Sequence, residues 1–308
     1  MIVIQDILNK YSKKLDRLDL ELIIAHVLGK NREFILTHPE FAIAKNYELR
    51  IMDYANRRMK CEPLAYILGE KEFYGLKFKV NKNTLIPRPE TEMMVDLAIQ
   101  EISKNYKLKA INLIDIGTGS GNIIIATAKQ LQNFEFRISN FELFGIDNNK
   151  KALKVSEQNA KYHKIDKKIK FLHGNLLNPI VQNSKFNPPA GGQNSVMIIT
   201  ANLPYLSPEI YKSCSKDIKK YEPKSALISQ KEGLDHYNEL LKQILVLKQN
   251  CSMFHASCFM EISPEQKLKI TKLIKKYFPS TSWRTKIIFH KDLSGRWRIC
   301  ELEIFNYQ

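Results

Sequence analysis

Two short stretches of this 308-residue chain carry side chains whose types and spacing could do chemistry. The first is Asn202-Leu203-Pro204-Tyr205, which ends the apolar run Val196–Ala201. The Asn202 side-chain oxygen and the Leu203 carbonyl can both accept hydrogen bonds from a planar –NH2 group. Pro204 stiffens the turn and removes one N–H, and the Tyr205 ring can cover the flat face of the same group. The arrangement suits an amide or an exocyclic amine, whose delocalised lone pair is a poor nucleophile. Two acceptors turn that lone pair toward an electrophile, and orientation of this kind lowers a barrier by roughly 7–11 kcal/mol. A ligand without the –NH2 would leave two buried acceptors unpaired, which is a strong basis for rejection. No general base is evident in the segment.

The second stretch is Leu113-Ile114-Asp115-Ile116-Gly117-Thr118-Gly119-Ser120-Gly121. It follows an apolar run and opens a helical one. Gly117, Gly119 and Gly121 let the backbone turn tightly and approach a ligand, while helix N–H groups face it. Such turns also occur in NAD and FAD folds. Here Asp115 lies inside the preceding strand, and Asp147 ends the next, where a carboxylate can hold two ribose hydroxyls. That pairing favours a nucleoside ligand with no diphosphate, namely S-adenosylmethionine, with Asp115 near its positively charged methionine end. Taken alone, Asp147 could instead cap the helix Lys150–Tyr162. Asn175, after the third strand, stands where an adenine-contacting polar residue is often placed.

The elements that must position these residues follow from periodicity. Ile7, Leu8, Tyr11, Leu15 and Leu18 keep helical spacing, as do Leu20, Ile23, Ile24, Val27 and Leu28, with Gly29 as a stop. A third helix is expected over Tyr47–Lys60. The stretch Glu72–Val80 alternates around a glycine and reads as a β-hairpin. It leads into Leu85-Ile86-Pro87-Arg88-Pro89-Glu90-Thr91-Glu92, where two prolines hold an extended approach to the next helix. Strands are expected at Ile111–Ile116, Glu142–Asp147, Ile169–His173, Val196–Ala201 and Ala256–Ile262, with helices such as Asn122–Gln132, Lys150–Tyr162 and Lys267–Tyr277 around them. That alternation predicts an α/β fold with a parallel sheet. Two last strands, Ser282–His290 and Trp297–Phe305, are joined by a short link, so the final strand should run antiparallel. Seven strands of this kind form the Rossmann-like sheet of a class I methyltransferase. The expected division is a helical bundle over 1–71, a hairpin linker over 72–88 and a catalytic domain over 89–308.

Composition excludes some classes. The 44% hydrophobic content is that of an ordinary globular protein. Met1–Lys10 lacks the features of a secretory signal, and no run of 18 apolar residues predicts a membrane span. The five cysteines form no CxxC pair and no Cys/His cluster with zinc spacing, so free thiols in the cytoplasm and no metal are expected. The formal charge of +16 is mostly dispersed Lys, compatible either with a nucleic-acid surface or with compositional drift.

Nearly the whole chain resembles the HemK/PrmC family of peptide-chain release factor glutamine N5-methyltransferases. The resemblance is carried by "EPLAYILGEKEFYGLKFKV" (62–80), "LIPRPETE" (85–92), "LIDIGTGSGNIIIA" (113–126) and "GIDNNKKALKVSEQNA" (145–160). It continues through "NLPY" (202–205), "YEPKSAL" (221–227), "EGLDHYNELL" (232–241), "MEISPEQ" (260–266) and "KDLSGRWRI" (291–299). The Pro-Arg-Pro-Glu-Thr-Glu segment is the most diagnostic, since generic methyltransferases lack it, and Arg88, Glu90 and Thr91 would form a pocket lip. The resemblance implies that Gly117–Gly121 and Asp147 bind S-adenosylmethionine, that Asn202 touches both cofactor and substrate, and that Asn202–Tyr205 bind the glutamine. It implies a class I release factor as protein partner, a helical N-terminal segment for recognising it, proximity to the ribosome and a monomeric enzyme. Two departures stand out: Leu203 replaces the usual Pro, which bears on loop rigidity, and Asn175 replaces a frequent Asp.

A rival reading is an rRNA adenine N6-methyltransferase, for which Asn-Leu-Pro-Tyr is the typical form and a basic surface would suit. Those enzymes carry the glycine motif near the N-terminus and add helices after the sheet, whereas here about 110 residues precede it. A catalytically inactive binding protein of the same fold is a third reading, opposed by the intact Asp115, Gly117–Gly121, Asp147 and Asn202. The segment 183–195 reads as a flexible insertion. Its Gly191-Gly192-Gln193 matches the tripeptide the family methylates, but about six strand residues place Gln193 roughly 20 Å from Asn202, too far for self-methylation in cis.

Overall fold

The computed structural model describes residues 2–105, 110–133, 140–182, 195–249, 254–279 and 284–305. Gln193 and the expected insertion, except Ser195, lie outside the described residues. The chain divides into two compact units, Met1–Glu70 with Cys214–Glu222, and Lys71–Ser213 with Pro223–Gln308.

The first unit is helical, with helices Ile4–Tyr11, Arg17–Leu28, Arg32–Thr37, Lys45–Met59 and Leu64–Leu68, and a two-stranded ladder of β1 (Ile2–Val3) and β2 (Ala42–Ile43). Its core gathers Ile4, Ile7, Tyr11, Ile23, Ile24 and Ile51. The apolar spacing expected to run on to Leu18 is broken after Tyr11. Asp16 takes the N–H groups of Leu18 and Asp19 and starts a new helix there, which leaves Leu18 on the surface. Gly29, with φ 65°, ends that helix as expected. The segment 214–222 joins this unit, and its Tyr221 hydroxyl donates to the Lys60 carbonyl at 3.0 Å.

The second unit opens with the hairpin β3 (Glu70–Phe73) and β4 (Leu76–Lys79), turned at Tyr74-Gly75, where both φ values are positive. Phe73 and Phe78 are buried in the same core as Met94, Val95 and Ile124, so the expected hairpin linker is packed into the second unit. The main sheet contains β5 (Ala110–Ile116), β6 (Asn140–Asp147), β7 (Ile169–His173), β8 (Ser195–Ala201), β9 (His255–Glu261), β10 (Arg284–Lys291) and β11 (Trp297–Phe305). Their order is β10-β11-β9-β8-β5-β6-β7, with β11 antiparallel to both neighbours and the strands from β9 to β7 parallel. All seven residues of β5 are buried, as a strand covered on both faces must be.

Strand order reverses between β5 and β8, because β6 and β7 extend one way from β5 while β8 and β9 extend the other. Ile116 pairs with Ile146 on one side and with Ala201 on the other, so β5, β6 and β8 end level. The glycine turn, Asp147 and the Asn202 turn therefore emerge side by side at the place where open α/β sheets bind ligands.

Candidate active site

The glycine turn is held from below. Asp115 is 1% exposed, and its two carboxylate oxygens accept the hydroxyls of Thr118 at 2.7 Å and Thr200 at 2.8 Å. Burial pushes its carboxyl up to about 7, against the pull of those two hydroxyls. The Thr118 N–H bonds the Ile146 carbonyl at 2.9 Å, pinning the turn to β6. Gly117, Gly119 and Gly121 all have positive φ, between 57° and 80°. At Gly121 an added Cβ would lie 2.8 Å from the Ile125 side chain, so this residue also sets how closely the following helix packs.

Asp147 ends β6 and accepts the Gly119 N–H at 2.9 Å on one oxygen and the Asn149 N–H at 2.8 Å on the other. Its carboxyl lies above its ordinary range because of burial. The helix Lys150–Tyr162 is capped by Asn149, whose side chain takes the Lys151 N–H, so Asp147 is not its cap. A carboxylate has about four acceptor sites, so Asp147 keeps capacity for a further donor.

The Asn202 turn leaves β8 beside these groups. The Leu203 side chain is buried and lies 3.1 Å from where a Cβ on Gly117 would stand, so the two turns touch. Asn202 donates from Nδ2 to Thr91 Oγ1 at 3.1 Å. Thr91 in turn donates to Glu261 Oε2 at 2.7 Å, and the Tyr205 hydroxyl donates to Glu261 Oε1 at 3.1 Å. Glu261 is fully buried, which pushes its carboxyl up to about 7; Glu90 adds to the rise, while Thr91, Arg298 and Tyr205 oppose it. The Tyr205 carbonyl accepts Gln266 Nε2 at 3.0 Å, and Gly233 passes so close that an added Cβ would lie 2.0 Å from that carbonyl. Tyr237, also fully buried, donates to the Glu261 carbonyl.

Together these turns wall a cleft at the carboxyl ends of the strands. Gly117, Thr118, Gly119, Ser120, Asp147 and Asn175 line it. So do Asn202, Leu203 and Pro204, together with Arg88 and the buried Thr91. Asp115, Gly121, Glu90 and Tyr205 are not part of that lining. Asp115 and Gly121 shape the glycine turn from behind, Glu90 stands electrostatically close to Glu261, and the Tyr205 hydroxyl is turned onto Glu261.

Sequence reasoning missed several residues that hold this site. Asn159 is fully buried and donates from Nδ2 to the carbonyls of Lys79 and Ser120 at 3.0 and 2.8 Å, while its Oδ1 takes the Lys79 N–H at 2.8 Å. It thus stitches the hairpin to the glycine turn. His236 lines the cleft, shares a 2.9 Å hydrogen bond with Ser229 Oγ, and burial lowers its pKa. Glu261, Gln266 and Gly233 hold the Asn202 turn from beneath. The one signal in the sequence was that these residues fall inside the motifs quoted above. A second acidic group also went unforeseen: Glu101, Glu301 and Glu303 bring carboxylate oxygens within 4.8 Å of one another.

A methyltransferase domain model matches residues 107–277, and the PrmC N-terminal domain model matches residues 4–69. The fold agrees with the hMettl16 catalytic domain solved in complex with the MAT2A 3′UTR hairpin 6, at a TM-score of 0.53 and 15% identity, covering 97% of this chain and 96% of that one. Fold and domain match together define a methyltransferase built on the class I sheet. Proteins named release factor glutamine methyltransferase are similar along most of the chain. The one from Buchnera aphidicola subsp. Schizaphis graminum is 34% identical, over 88% of this chain and 90% of its own. That from Clostridium botulinum is 30% identical, over 95% and 94%. The chain belongs to the release factor glutamine methyltransferase family. Among the described residues, no helix is long and apolar enough to cross a membrane.

Proposed function

We propose that this protein transfers the methyl group of S-adenosylmethionine to the side-chain amide nitrogen of the glutamine in the Gly-Gly-Gln motif of a class I release factor. The observation that carries the reading is the pair of level turns at the strand-order reversal, one glycine-rich and one ending in Asn202. The cofactor would lie along Gly117–Gly121, with Asp147 free to take ribose hydroxyls on its remaining lone pairs and Asn175 beside the base. When bound, that group supplies a methyl on a positively charged sulfur. The carboxylate of Asp115 lies beneath the turn, where its charge favours a cation above it.

The work of the chain is orientation. With Nδ2 of Asn202 engaged by Thr91, its Oδ1 is left for the cleft. With the Leu203 carbonyl, that oxygen would hold both protons of the substrate –NH2 and keep its lone pair out of their plane. A carboxylate in place of the amide has no proton to give either acceptor, so glutamate is rejected. The helical unit 1–70 with 214–222 would recognise the partner, and the net charge of +16 would suit work near the ribosome in the cytoplasm, as a monomer. The helical segment that precedes the glycine turn, matched by the PrmC N-terminal domain model, supports this reading over rRNA.

The test is incubation with labelled S-adenosylmethionine and either a release factor or bare small-subunit rRNA. Methyl on the factor's glutamine, abolished in Asn202→Ala, is the expected result. Methyl on RNA adenine alone would overturn it.

A further inference from the structure

We propose that Thr91 and Glu261 are positioning residues that set which end of the Asn202 amide faces the cleft. The inference rests on the glutamine reading above for its consequences, but the relay itself is a property of this chain. A carboxylate can only accept hydrogen bonds. Glu261 receives one donor on each oxygen, Thr91 at 2.7 Å and the Tyr205 hydroxyl at 3.1 Å. A threonine hydroxyl has one proton, and Thr91 spends it on Glu261. What Thr91 offers Asn202 is therefore a lone pair, and only the –NH2 end of an amide can use a lone pair. The direction of three side chains thus follows from one buried anion: Nδ2 of Asn202 is drawn back to Thr91 at 3.1 Å, and Oδ1 is delivered to the cleft. The same anion holds the Tyr205 hydroxyl, so both ends of the substrate turn answer to Glu261.

This accounts for two features that cofactor binding does not require. Thr91 and Glu261 are 1% and 0% exposed, far apart in sequence, and neither needs to touch a ligand to do this. It also explains why a fully buried carboxyl is kept although burial opposes its charge: a neutral acid in its place could donate to Thr91, which would then be free to donate to Asn202 and turn the amide round.

The experiment uses the full chain at a pH of about 8.5, where Glu261 is ionised. Variants Thr91→Val, Thr91→Ser and Glu261→Gln are compared with wild type in three readouts. The first needs no substrate: with asparagine nitrogen-15 labelling, the Asn202 side-chain signal, assigned by its loss in Asn202→Asp, should shift in Thr91→Val and stay in place in Thr91→Ser. The second is kcat for methylation of a Gly-Gly-Gln peptide, which should fall about 100-fold in Thr91→Val, the size of effect expected of a misaligned reactant. Cofactor affinity should remain close to wild type although Thr91→Val melts a few degrees lower, and Thr91→Ser should recover most of the rate. In Glu261→Gln one acceptor oxygen replaces two, so either Thr91 or Tyr205 must turn its hydroxyl, and the rate should fall about tenfold or more. The third readout is inhibition by the Gly-Gly-Glu peptide. It should be absent in wild type and appear in Thr91→Val, because a reversed Asn202 offers N–H to a carboxylate. An unmoved Asn202 signal in Thr91→Val, or a wild-type rate in it, overturns the relay. So does a Thr91→Ser variant as inactive as the Val form, which would mean that Thr91 acts by packing. If wild type methylates no glutamine, the functional reading fails, and the Asn202 signal still decides the relay.

Discussion

Asp115 and Glu261 occupy matching places under the two turns of the cleft. Each ends up essentially out of water, each takes one hydroxyl per oxygen, and each has its carboxyl pushed up to about 7 by burial. They differ in what their partners do next. Thr118 and Thr200 hand Asp115 their protons and hold the turn to β8, so that network closes on the scaffold. Thr91 hands its proton to Glu261 and then meets Asn202, so that network opens into the cleft. The same chemistry serves in one place to fix backbone and in the other to aim a side chain. A buried carboxylate is thus read by following its partners one bond further, not by its own environment.

The comparison can be broken most forcefully at glycine. Gly233→Ala should lose about 4 kcal/mol of stability in a urea titration, because positive-φ strain and a backbone clash at Tyr205 each cost 1–3 kcal/mol. Gly117→Ala should lose less, about 1–2 kcal/mol, since it shares the positive-φ strain but meets only the Leu203 side chain at 3.1 Å rather than a backbone carbonyl. Equal losses would show that the Glu261 side is no more rigid than the Asp115 side.

Next comes Asp115→Ala, which leaves the Thr118 and Thr200 hydroxyls without their acceptor. It should cost about 2 kcal/mol in the same titration and weaken S-adenosylmethionine binding by calorimetry. A loss of rate at full cofactor occupancy would make Asp115 an aiming group like Glu261. Smaller again is Tyr205→Phe, expected to lower kcat about tenfold while cofactor affinity holds, because Thr91 still occupies Glu261. A rate unchanged in Tyr205→Phe would confine the aiming role to Thr91.

The smallest effect is in pH. The folded carboxyl of Asp115 is raised from 3.8 to about 7, so the folded chain binds more protons than the unfolded one between those values. Its contribution is complete in acid and lost as pH rises through about 7. Asp115→Asn should therefore flatten the fall in stability between pH 6.5 and 8.5 by about 1 kcal/mol, read from urea midpoints at the two pH values.

Legibility in the sequence followed the same division. The glycine turn, Asp147 and the Asn202 turn could be found because each sits at the end of an apolar strand, and strand ends are local features. The parallel sheet followed from alternation of strand and helix. Thr91 was recognised as part of a lip but not as a relay, and Glu261 read as one more residue of a motif. They stand 170 positions apart in the chain, a meeting that no period or spacing reports. Gly233 and Asn159 were opaque for the same reason: one is needed for a carbonyl that comes from another segment, the other for a hairpin 80 residues away. The early misjudged helix is the reverse case, where apolar spacing suggested continuity and a single capping aspartate at Asp16 broke it.

The stitch at Asn159 also has a bearing on motion. Strand β4 cannot peel away at Lys79 without surrendering two of the three bonds this amide makes, and the third holds the Ser120 carbonyl. Fraying of the hairpin and loosening of the glycine turn are therefore coupled through one side chain. A ligand seated on the turn should slow hydrogen exchange at the Lys79 amide, which it never touches, by the factor that its binding adds to the closed state.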